Sequence, residues 1–71
     1  MMSKRVKILV YEARLKHGDI KYEWLSAKTG ISVTTLWRIE NGKKEPTISE
    51  LLLIAEALGV DYTELFTIVK D

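Results

Sequence analysis

Residues suited to nucleophilic or metal chemistry are scarce in this chain. His17 is the only histidine, and cysteine is absent. Nucleophilic catalysis needs a nucleophile, a base and a group that orients the base, and nothing in the spacing sets His17 in such company. A metal centre needs several His or Cys ligands, which the chain lacks. There is no glycine-rich phosphate loop. The sequence therefore predicts no enzyme, no metal, no cofactor and no evident small-molecule site. What remains is a central stretch of polar, basic and aromatic residues, Ser32 to Lys44, suited to contact with another molecule.

Charge points toward a polyanion. The net charge is only +1, but residues 1–44 hold ten Lys/Arg against four acids, and residues 45–71 hold Lys70 against six. A front of +6 and a back of −5 suggest a polyanion-facing surface on the first two-thirds of the fold, with ordinary solvated surface as the alternative.

Seventy-one residues make one domain, 1–71, with a thin core that buries roughly 60% of the unfolded surface. The chain is 46% hydrophobic and 30% charged, with four Gly and one Pro, which excludes disordered and collagen-like classes. No apolar run approaches the roughly 18 residues of a membrane span. The stretch Ile8–Tyr11 is too short for the core of a signal peptide, so the expected location is cytoplasmic.

Periodicity predicts an all-α, compact five-helix domain. Val6, Leu9, Val10 and Ala13 recur at helical spacing, with Ser3 as cap and Gly18 as stop. A second helix runs from about Lys21 to Thr29 and turns inward at Leu25. Gly30-Ile31-Ser32 then joins it to a third helix, Val33–Glu40, which Ser32 caps. Thr47-Ile48-Ser49-Glu50 fits a capping box for a fourth helix bearing Leu51, Leu52, Ile54, Ala55 and Leu58. Asp61-Tyr62-Thr63-Glu64 repeats that logic for a C-terminal helix and tail over about 61–71. Two short helices joined by a tight Gly-containing turn, over about 21–41, are the ingredients of a helix-turn-helix. Leu25, Ile31, Leu36 and Ile39 bury one side. Val33, Thr34, Trp37, Arg38 and Asn41 are left facing outward, on a helix that fits a DNA major groove.

Several runs together carry a family resemblance: Leu25–Ser32, Leu36–Lys43 with its Ile-Glu-Asn-Gly-Lys, Pro46-Thr47, and Leu51 through Ala57-Leu58-Gly59-Val60 to Glu64-Leu65-Phe66. Over roughly residues 5–66 the chain resembles the Xre/Cro family of phage and bacterial repressors. The resemblance implies a lambda-repressor-like fold and sequence-specific binding of double-stranded DNA, usually by a homodimer on a palindromic operator. It sets the base-reading positions at Val33, Thr34 and Arg38. Ser32 and Asn41 match positions that hold phosphate, with Lys43 and Lys44 following as backbone contacts. It pairs Arg14 of the first helix with Glu40. Two departures stand out. Tyr22 occupies a place usually held by a phosphate-touching Gln, where its hydroxyl can serve the same contact, and the loop Gly18–Lys21 is one residue longer than usual.

Bland readings accompany these. Val33 either meets a thymine methyl or shields the core, and Trp37 either lies along the DNA backbone or covers the adjacent loop. Trp24 is a solvated face or a partner surface. Leu65, Phe66, Ile68 and Val69 are the expected dimer contact, because one short helix cannot bury them all. The rival function is a protein-binding adaptor of the same fold, antitoxin-like or anti-repressor, with DNA reading lost.

Overall fold

The computed structural model describes residues 4–70. In chain order it holds β1 (Lys4–Ile8), α1 (Val10–Lys16), α2 (Tyr22–Thr29), α3 (Val33–Glu40), α4 (Ile48–Leu58), a 3-10 turn (Tyr62–Leu65) and β2 (Phe66–Lys70). The expected five-helix, all-α domain is thus corrected to four α-helices and a small two-stranded sheet.

The central elements follow from local chemistry. Gly30 closes α2 at φ +78°, a left-handed conformation that glycine adopts without steric cost, and its N–H bonds the Ser26 carbonyl at 2.8 Å. Ile31 is buried beneath the turn. Ser32 Oγ accepts from the Thr35 N–H at 3.1 Å and so caps α3, whose β-branched start is otherwise a poor helix former. Thr47 and Glu50 complete a capping box at the start of α4, with bonds of 3.0 and 2.9 Å. Leu25, Leu36, Ile39, Ile54, Leu65 and Val10 are fully buried and form the centre of the core.

Both ends differ from expectation for one reason. β1 and β2 pair antiparallel, Val6 opposite Ile68 and Ile8 opposite Phe66, and the Leu9 N–H continues inward to the Leu65 carbonyl at 2.7 Å. Pairing across the whole chain overrides the helical spacing around Val6, so α1 begins only at Val10. The Ser3 cap falls outside the described residues. At the other end the Asp61 carboxylate accepts from the Thr63 N–H at 2.9 Å, while Glu64 turns to His17 at 3.2 Å instead of reaching back. The capping box does not close. One 3-10 turn forms, and Phe66–Lys70 extends as a strand. The fourth helix is also less buried than its composition suggests: Leu52 and Leu53 are exposed, and Leu51, Ile54 and Ala55 face the core.

Candidate nucleic-acid interface

α3 is amphipathic in the strict sense. Leu36 and Ile39 are buried, and Val33, Thr34, Trp37 and Arg38 are exposed on the other side. Arg38 stands one helical turn beyond Thr34, so their side chains share a face. Trp37 is 47% exposed and Trp24 on α2 is 41% exposed; the Lys28 ammonium lies 5.4 Å from the Trp24 ring centroid, a cation–π contact.

A buried ionic cluster fastens this helix to the rest of the fold. Arg14 Nε donates to Glu40 Oε2 at 2.6 Å, and Nη2 donates to Oε1 at 3.1 Å. The remaining guanidinium nitrogen donates to the Ile20 carbonyl at 2.6 Å, which ties the loop after α1 into the same cluster. Hydrogen bonding to Glu40 raises the Arg14 pKa above its ordinary value. The Tyr22 hydroxyl donates to Glu40 Oε1 at 2.6 Å, and its ring lies 4.3 Å from the Arg14 guanidinium carbon. Burial, with the hydrogen bond to Glu40 second, pushes the Tyr22 pKa up to about 12.

The other expected backbone contacts have internal bonds of their own. The Tyr22 proton is committed to Glu40, so a phosphate would have to compete for it. Ser32 donates its hydroxyl proton to Thr35 Oγ1 at 2.9 Å. Asn41 Nδ2 donates to the Trp37 carbonyl at 2.9 Å, one of the two protons it can give. Lys44 Nζ meets Glu50 Oε1 at 2.6 Å, and that ammonium, ahead of the Thr47 N–H, lowers the Glu50 pKa. Lys43 is exposed, and its loop is fixed by N–H bonds from Lys43 and Lys44 to the Arg38 carbonyl at 2.8 and 3.2 Å.

Of the four expected dimer contacts, Leu65 is corrected. It is fully buried among core residues and presents nothing to a second chain. Phe66 and Val69 are half-buried, and Ile68 is 59% exposed. The tyrosine's place in the ionic cluster was not readable from spacing. The one signal for it was the aromatic residue at a position where the family pattern has an amide. Among the described residues there is no group of acidic, His or Cys side chains able to hold a metal, and no helix long and apolar enough to cross a membrane.

A helix-turn-helix family model matches residues 10–65, which is α1 through the 3-10 turn. A curated relative from Sinorhizobium fredii (strain NBRC 101917 / NGR234), described as the uncharacterized HTH-type transcriptional regulator y4dJ, is 40% identical over 56 residues. That alignment covers 78% of this chain and 73% of the relative. No solved structure matches. The match spans the capped turn, the outward face of α3 and the cluster that holds it, and the chain belongs to the Xre/Cro-like helix-turn-helix family.

Proposed function

We propose that the protein is a sequence-specific DNA-binding transcriptional regulator, a repressor, that reads the major groove with α3. The observation that carries this reading is the exposed face of Val33, Thr34 and Arg38 on a helix clamped from behind by Arg14 and Glu40. Arg38 offers two parallel donors to O6 and N7 of guanine, Thr34 reads either partner of a pair, and Val33 meets a thymine methyl. Asn41, Lys43, Lys44, the start of α2 at Tyr22 and the Ser32-capped start of α3 set the register on phosphates. The functional unit is a homodimer on a palindromic operator, with half-sites about 34–36 Å apart and contact through Phe66, Ile68 and Val69.

Selection of bound sites from a random duplex pool tests this directly. A recovered palindrome, with affinity falling steeply as salt rises, is the expected result. The exposed Trp24 and Trp37 favour the adaptor reading as the alternative. An adaptor would recover no site, show no salt-dependent DNA binding, and lose its protein partner when these tryptophans are replaced.

A further inference from the structure

Because residues 4–8 form a strand and not a helical turn, their cations are sorted. Side chains alternate across a strand, so Arg5 and Lys7, opposite Val69 and Thr67, share one ribbon face. Ile8 and Phe66 lie on the other and pack against the core, while Val6 and Ile68 on that face stay exposed. Arg5 and Lys7 are both exposed. A groove of about 590 Å³ runs between β1 and the end of α3, with Lys7 on one wall and Asn41 and Gly42 on the other. A neighbouring groove of about 430 Å³ sets Arg5 across from Gly42 and Lys44. The cations of the N-terminal strand therefore stand beside the loop that leaves the reading helix.

We propose that Lys7, with Arg5 beside it, holds a DNA phosphate beyond the helix-turn-helix and lengthens the backbone contact begun by Asn41 and Lys43. This rests on the DNA-binding reading above. Each strand of a duplex presents a phosphate about every 3.4 Å along the axis, so a backbone seated on the Asn41–Lys44 loop continues past the β1 wall. The acids nearby are partly spent. Glu40 is taken by Arg14 and Tyr22, and Glu50 by Lys44, which leaves Glu12 and Glu45 as the opposing charges among the described residues lining the grooves. Cations on an edge strand also deter pairing with another chain, and that role would not alter how DNA affinity depends on salt.

The test compares Lys7→Gln with Lys16→Gln, a control in the last turn of α1 at the end joined to the 3-10 turn by His17 and Glu64. Binding of the full chain to its selected duplex is followed by fluorescence anisotropy over a range of salt, with circular dichroism to show that each variant is folded. Lys7→Gln should make the slope of log affinity against log salt shallower by about one, and should weaken cognate and scrambled duplexes alike. Lys16→Gln should leave the slope unchanged. A folded Lys7→Gln protein with the wild-type slope overturns the phosphate contact while leaving groove reading intact. An equal change in Lys16→Gln overturns it too, because the effect is then one of net charge. A wild-type protein without salt-dependent binding overturns both this contact and the reading beneath it.

Discussion

Arg14 and Glu40, 26 residues apart, meet through two hydrogen bonds of 2.6 and 3.1 Å, with side chains only 8% and 3% exposed. This pair joins α1 to the last turn of α3 through buried charge. Removing one partner strands the other charge away from water. Arg14→Met and Glu40→Gln should each lower unfolding stability by about 3–5 kcal/mol in urea denaturation. The double variant Arg14→Met with Glu40→Leu should cost less than either single change. Single variants that denature like the wild type would show that the pair carries no stability.

Tyr22 ties stability to alkaline pH. Its folded pKa of about 12 stands above the value near 10 of an unfolded tyrosine, so the folded state keeps the proton more firmly. The linked stability is therefore fully present below about pH 10 and is lost as pH rises through about 12. Urea midpoints taken from pH 9 upward should fall more for the wild type than for Tyr22→Phe. Parallel curves for the two proteins would remove Tyr22 as the cause. At neutral pH the phenylalanine variant loses a bond to a charged acceptor, a cost of about 1.5–3 kcal/mol.

The relation between sequence and structure is uneven for physical reasons. Gly30, Ser32, Thr47 and Glu50 act on neighbours within a few residues, so the turn, both caps and the outward face of α3 are readable from local spacing. The ribbon is not, because Val6 pairs with Ile68 across nearly the whole chain and leaves no local pattern. The run Phe66-Thr67-Ile68-Val69 did carry a signal, since aromatic and β-branched residues favour strands, but the capping pattern at Asp61 pointed the other way. The Arg14–Glu40 contact was reachable through the family resemblance. The donation from Tyr22 to Glu40 needs the packed geometry, because nothing in the spacing of residues 22 and 40 brings a phenol to a carboxylate.

In the proposed dimer contact, exposure differs sharply between neighbouring residues. Ile68 is exposed on β2, whereas Leu65, three residues earlier, is fully buried. Ile68→Glu should give a folded monomer in sedimentation, with wild-type circular dichroism. Leu65→Glu should fail to fold, because it places a charge in the core. A wild-type chain that sediments as a monomer at high concentration, with and without operator DNA, would contradict the dimer.

Arg38 carries the central claim, and one binding comparison tests it most directly: wild type and Arg38→Ala against the selected site and against a scrambled duplex, at several salt concentrations. Loss of a bidentate guanine contact should cost about 1–3 kcal/mol at the selected site and relax preference at one base pair. Affinity for scrambled DNA should change little. An equal loss on both duplexes would contradict base reading and reduce Arg38 to a grip on the backbone.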